Sequence, residues 1–197
     1  NRIVSDDIAS HLHGIAEKEN VKTENDALHV IAQKADGGLR DALSIFDQLI
    51  SFSEGELTYD KVIKNLNILD YDYYFKTTDL IKNKNLSGLL LLLNQVLTNG
   101  FEDVLFMNGL ASHFRNLLVS KDESTIVLLD VGDNIKEKYK TQSQQNEVRF
   151  LINGLEVLSN FDVSYKTSKN KRLLTEVTLM QLCADELVES KKKSPVE

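Results

Sequence analysis

Gly37-Gly38-Leu39-Arg40-Asp41-Ala42-Leu43-Ser44 joins the end of one apolar stripe to the start of another. Upstream, Ala27, Leu28, Ile31, Ala32 and Ala35 recur at three- and four-residue spacing, which predicts one face of a helix. Downstream, Leu39, Ala42, Leu43, Phe46, Leu49 and Ile50 repeat that spacing. Glycine enters left-handed backbone without a Cβ penalty, so Gly37 is expected to stop the first helix and Gly38 or Leu39 to open the next. Arg40 then falls in a first turn. A helix N-terminus carries roughly half a positive charge, so a cation there costs about 0.3–1 kcal/mol unless an anion faces it. The position reads as half of a phosphate site, where exposed backbone N–H groups and a planar guanidinium converge. A surface arginine, solvated or paired with Asp36, is the alternative. No Gly-x-x-x-x-Gly-Lys-Ser/Thr loop occurs in the chain to cradle the rest of a nucleotide.

Outward from the octet the period stays helical. Ser5, followed by Asp6 and Asp7, is expected to cap a helix that carries Ile8, Leu12 and Ile15, and Thr23 to cap the helix that Gly37 ends. Three short striped helices make a small bundle over 1–52. The polar stretch 51–57, with Gly55, predicts a domain boundary. Beyond it, Thr58 opens a helix through Val62, Ile63 and Leu66, and 71–84 turns Phe75, Leu80 and Ile81 inward. Leu86, the run from Leu89 to Leu93, Val96 and Leu97 leave almost no polar face. That helix either fills the centre of its own bundle or spills onto an interface, with Leu89 and Leu92 as interface candidates. Gly100 ends it. A helix over 102–120, a shorter pair over 124–129 and 133–141, and long helices over about 143–161 and 171–190 complete a second bundle. The domains expected are therefore 1–52, 58–190 and a charged tail over 191–197, and the fold class is all-α.

Composition agrees with that class and narrows the function. The chain has 197 residues, enough for a substantial core, and only one proline. It opens on Asn1 rather than Met, as an excised fragment or processed product would. No apolar run is long enough to cross a bilayer and no signal-peptide pattern is present, so a soluble cytoplasmic protein is expected. A single cysteine, Cys183, permits no internal disulfide and no zinc ribbon. The net charge of −7 disfavours general binding to a phosphate backbone. Lys166, Lys169, Lys171 and Arg172 form the densest basic patch, read as a solvated loop with a DNA contact as the alternative. His11 and His13 face different sides of their helix, while His29 and His113 are isolated in sequence, so no metal site is expected. Cys183 reads as a small buried hydrophobe and Tyr71, Tyr73, Tyr74 and Phe75 as packing, not as a base-stacking platform. No catalytic acid, base or nucleophile stands out.

The octet is similar to Gly-Ser-Leu-Arg-Asp-Ala-Leu-Ser in the lid of the gamma/tau family of bacterial DNA polymerase III clamp-loader ATPases, an AAA+ family. Asn1-Arg2-Ile3 resembles that family's strand-to-lid junction, and Glu17-Lys18-Glu19 with Val21 the end of its first lid helix. Residues 32–35, running into Gly37-Gly38, resemble the second lid helix and its stop. Arg172-Leu173-Leu174-Thr175-Glu176-Val177-Thr178-Leu179 is similar to the Arg-x-x-x-Glu-x-x-Leu opening of the last collar helix. Gly38 departs from the serine frequent there, which removes a good N-cap.

The resemblance implies a small three-helix AAA+ lid followed by a helical collar, or oligomerisation, bundle. It implies that Arg40 is the sensor 2 residue that reaches the gamma-phosphate, and that Arg172 and Glu176 make a subunit contact. Implied partners are other gamma/tau copies and the delta and delta-prime subunits, with the sliding clamp and primed DNA reached indirectly. ATP and Mg are the cofactors implied for a complete parent ATPase in the bacterial cytoplasm, associated with the nucleoid; none is implied for this stretch. Without a Walker A loop, a Walker B acidic strand or an arginine finger, the stretch is not expected to be an enzyme on its own. The rival readings are a delta-prime or replication factor C-like loader subunit, a helical DNA-binding module, and a small helical enzyme.

Overall fold

Ile8, Leu12 and Ala16 recur every four residues on α1 (Ser5–Lys18), and all three are buried. They pack against Ala27, Leu28 and Ile31 of α2 (Asn25–Lys34), and with Ala42, Phe46 and Leu49 of α3 (Leu39–Ile50) they close the core of a first compact unit. Each fully buried leucine or isoleucine in it contributes roughly 1.5–3 kcal/mol. The computed structural model describes residues 4–53 and 55–184. Among the described residues there are ten α-helices, one 3-10 turn and two strands of two residues. Asn1-Arg2-Ile3, the end of the last helix expected over 185–190, and the tail over 191–197 lie outside them.

The two compact units are Asn1–Asp70 with Val119–Thr141, and Tyr71–Leu118 with Gln142–Glu197. The sequence led us to expect the bundle to close near residue 52, but the chain stays in the first unit through 51–57. There β2 (Glu56–Leu57) runs parallel to β1 (Lys22–Thr23), and Leu57 is buried. α4 (Tyr59–Asn65) then adds Val62 and Ile63 to the core, with Thr58 as its N-cap, accepting from Lys61 N at 3.3 Å. Thr23 lies in β1 and is not a cap. Glu24 holds the N-cap position of α2, and its carboxylate instead accepts from Tyr59 N at 2.7 Å, tying the starts of α2 and α4 together.

Residues 119–141 return to this unit by a route no local pattern announced. The pair of short helices expected there is a 3-10 turn, Ile126–Leu128, and α8 (Asp133–Gln145). Between them Leu129 and Val131 are buried, Ser5 Oγ donates to Asp130 Oδ2 at 3.0 Å, and Gln33 Nε2 donates to the Asp130 carbonyl. Asn134 Nδ2 donates to Asp26 Oδ2 at 2.8 Å. Asp26 Oδ1 lies against Gly132, where any Cβ would stand 1.8 Å from it.

In the second unit, α5 (Tyr71–Lys82), α6 (Leu86–Thr98), α7 (Asp103–Val119), α9 (Val148–Thr167) and α10 (Lys171–Ala184) share a core that includes Leu89, Leu93, Phe106, Leu110, Phe114 and Leu179. The helix expected over 143–161 begins and ends later: α8 runs on to Gln145 and α9 starts at Val148. Asn85 caps α6 by accepting from Gly88 N at 2.9 Å, and Gly100, at φ 87°, follows its end in left-handed backbone as expected.

Candidate functional site

Two left-handed residues make the turn in front of α3. Asp36 (φ 49°) takes the position expected for Gly37, and Gly37 (φ 81°) prolongs it. Aspartate tolerates this backbone better than most residues because its short side chain bonds locally. Gly38 N then donates to the Ala35 carbonyl at 2.9 Å, and the Gly38 carbonyl accepts from Ala42 N at 3.0 Å to start α3. No side chain caps this helix. The nearest anion is its own. Asp41 folds back so that a Cβ on Gly38 would lie 2.8 Å from Asp41 Oδ2 and 3.1 Å from the Ala35 carbonyl oxygen. A serine at 38 would displace the tip of Asp41 and press on the Ala35 carbonyl.

Arg40 is the second residue of α3 and is exposed. Its guanidinium makes no ion pair or hydrogen bond among the described residues, so the alternative of a pair with Asp36 is not what the structure contains. The first turn thus presents unbonded backbone N–H groups, one inward-folded carboxylate and one outward cation. That combination fits an anion approaching from solvent.

The remaining candidates lie on the second unit. Arg172 Nε donates to Glu176 Oε1 at 2.7 Å, and Arg172 Nη2 reaches Asn94 Oδ1 at 3.4 Å, linking α10 to α6. Leu89 and Leu92, the interface candidates on this helix, are core residues at 0% and 4% exposure. The apolar run fills the centre of its own bundle, and Leu91, 72% exposed, is the leucine left outside. The apolar residues of 171–190 predict an inward stripe through Leu173, Leu174, Val177, Met180, Leu182, Ala184 and Leu187, of which, among the described residues, Leu182 is buried on α10. Thr175, Thr178, Leu179 and Leu182 point inward, and Leu173, Val177 and Met180, spaced i, i+4, i+7, are exposed. The threonines are tolerated inside because their hydroxyls bond back to the helix: Thr175 Oγ1 to the Lys171 carbonyl and Asp103, Thr178 Oγ1 to the Leu174 carbonyl. A threonine face at helical spacing is the signal that a purely apolar count misses.

The other titratable groups serve packing. His113 is buried between Tyr74 and Phe75, with Nε2 2.9 Å from Gln142 Oε1. Gln142 Nε2 donates to the Phe75 carbonyl and to Asp79 Oδ1, both at 2.8 Å, so Gln142 Oε1 is the acceptor and His113 Nε2 carries the proton. Burial holds the imidazole neutral, lowering its pKa to about 4. Tyr74 is buried over Gly109, and burial together with Tyr71 pushes its pKa up to about 12. Cys183 is half-buried, and burial raises its pKa. Among the described residues no group of three or more His, Cys, Asp or Glu side chains is placed to hold a metal ion, and no helix is long and apolar enough to cross a membrane.

Residues 7–55 match the family described as the ATPase lid domain of the DNA polymerase III clamp loader subunit. This stretch is similar to a clamp-loader lid. DNA polymerase III subunit tau of Bacillus subtilis is 28% identical over 182 residues, covering 92% of this chain and 32% of that protein. DNA polymerase III subunit gamma/tau of Mycoplasma genitalium is 32% identical over 168 residues, covering 84% of this chain and 28% of that protein. The chain therefore spans about a third of the length of these curated relatives. A Bacillus subtilis DNA clamp loader delta protein of known structure superposes with a TM-score of 0.56 over 92% of this chain and 57% of its own, at 21% identity, a likeness of fold. The matched stretch contains the whole of the turn, α3 and Arg40.

Proposed function

We propose that the chain is the lid and collar region of a DNA polymerase III gamma/tau clamp-loader subunit. In this reading the second unit joins the subunit to other gamma/tau copies and to the delta and delta-prime subunits. The lid passes the nucleotide state of an adjoining ATPase domain to that ring, which places a sliding clamp on primed DNA. The observation that carries the reading is the exposed Arg40 at the uncapped start of α3, inside the segment that matches a clamp-loader lid.

ATP and Mg belong, in this proposal, to the complete parent. Arg40 would meet the terminal phosphate, and the bound nucleotide supplies the charge that the first turn of α3 lacks. A ligand shifts a conformational equilibrium only through unequal affinity for its two states. Arg40 provides such a contact because its guanidinium gains a partner in one lid position and solvent in the other. For assembly, the exposed stripe Leu173, Val177 and Met180, flanked by Arg172 and Glu176, is the collar face we assign to a neighbouring subunit. An apolar strip with a bonded, polar edge has the make-up of a subunit contact.

Mass measurement in solution tests the assembly, with the chain alone and mixed with delta and delta-prime subunits. Higher-mass species are expected in the mixture, and a strict monomer that ignores both would overturn the reading. Arg40→Ala in the complete subunit should impair ATP-coupled clamp loading while leaving ring formation intact. Unchanged loading would remove its sensing role.

A further inference from the structure

Helix α8 has 13 residues and a polar make-up. Ile135 and Tyr139 are its buried apolar side chains, and the next inward positions, Gln142 and Ser143, are polar. Isolated helices shorter than about 12–15 residues are marginal in water even when rich in alanine, and α8 contains no alanine. Its order therefore depends on what holds its two ends. At the start, Gly132 accepts from Lys136 N at 2.9 Å but has no side chain to cap with. The Asp26 carboxylate of α2 stands there instead: Oδ1 lies against Gly132, and Oδ2 accepts from Asn134 Nδ2 at 2.8 Å. At the other end, Lys82 Nζ of α5 donates to the Gln145 carbonyl at 2.5 Å, and Gln142 Nε2 donates to the Phe75 carbonyl and to Asp79 Oδ1. A carboxylate at the N-terminus and an ammonium at the C-terminus both answer the helix dipole. The holders belong to different units. Asp26, Gly132 and Asn134 lie in the first and Lys82, Phe75, Asp79 and Gln142 in the second, and the division falls between Thr141 and Gln142, within the helix.

We infer that α8 is a coupling element: a helix that stays ordered while Asp26 and Asn134 hold its first turn and Lys82 and Gln142 hold its last, so that loosening either end loosens the other. Helix formation is cooperative, and a short helix released at one end frays inward past its few buried side chains. Local unfolding of this kind links two distant sites without a rigid displacement. Linkage makes the effect reciprocal, so the coupling must read equally in both directions. Within the proposed loader function, α8 would be the element that carries the state of the lid onward. That use rests on the loader reading, whereas the coupling is a property of the chain alone.

Amide hydrogen exchange, read by NMR on the full 197-residue chain, tests it. Asp26→Ala should speed exchange at 142–145, the far end of α8, at least fivefold. Lys82→Ala should in turn speed exchange at Lys136 and Glu137 at least fivefold. The amides of Leu89 to Leu93 on α6 should keep their rates in both variants. Unchanged exchange at the far end in either variant would overturn the inference, and so would an equal acceleration on α6, which marks a general loss of stability. Thr141→Ala with Gln144→Ala, at two exposed positions, raises the helix propensity of α8 itself and should at least halve both far-end effects. Effects that persist undiminished would overturn the inference, because the helix would then not be the carrier. If Asp26→Ala fails to fold by circular dichroism, Asp26→Asn carries the same test, with at least a twofold rise at 142–145 expected and no rise overturning the inference. Neither nucleotide nor partner subunit enters the measurement, so its failure leaves the loader reading standing, and failure of that reading leaves the coupling.

Discussion

Arg40 and His113 are opposites in how much of their setting is local. Everything that exposes Arg40 lies within five residues of it: the left-handed turn at Asp36 and Gly37, the bare N-cap at Gly38 and the folded-back Asp41. Its place was therefore legible in the octet alone. Because its side chain makes no internal bond, Arg40→Ala should change the stability of the chain by no more than about 0.5 kcal/mol, as urea unfolding would measure. His113 owes its state to Gln142, 29 residues away, and to Tyr74 and Phe75 on another helix, so no spacing rule could find it. Its folded pKa of about 4 lies below the ordinary value of 6.5. The unfolded chain therefore takes up the proton first as pH falls. The stability tied to the neutral ring is complete above about pH 6.5 and is lost as pH drops toward 4, to a total on the order of 3 kcal/mol. Urea unfolding between pH 7 and pH 4 should show that slope, and NMR should find the His113 ring still neutral at pH 5. A ring charged at pH 5 would contradict the burial argument.

At the scale of elements, helix existence followed from periodicity, and the facing of each helix did not. α6 was ambiguous because leucine occupied nearly every position, and only the neighbours α5 and α10 decide that Leu89 and Leu92 are core while Leu91 is not. On α10 threonines share the inward face with Leu179 and Leu182, while Leu173, Val177 and Met180 face out. Val177→Lys, on the outer face, should leave the melting temperature within a degree or two yet weaken association with partner subunits, read by sedimentation. Leu92→Lys should abolish cooperative unfolding, since it buries an unpaired charge. Gly109→Ala on α7 sets propensity against packing. Alanine gains about 1 kcal/mol as a helix former. Its Cβ, however, would stand 2.0 Å from Tyr74 Oη, so a net loss of about 1–3 kcal/mol is expected in chemical denaturation.

For the whole molecule, composition and period were enough for an all-helical chain with a small bundle at its start, whereas the extent of each unit was hidden. Strands of two residues carry no readable alternation, so the return through β2 left no trace. Nor does a polar stretch such as 130–134 announce that it docks on α1 and α2. Gly132→Ala should disturb that docking by driving a Cβ into Asp26, and faster hydrogen exchange at the start of α2 would register it. The bond between Asn134 and Asp26 spans 108 positions of sequence. During synthesis the helices around Asp26 must therefore wait on the ribosome for a further 108 residues to emerge before this support arrives. Loop closure over such a span is slow compared with local helix pairing. A nascent chain halted shortly after residue 70 should thus already be helical yet still be cut readily by protease around Asp26, and it should gain protection only once residue 134 has cleared the exit tunnel.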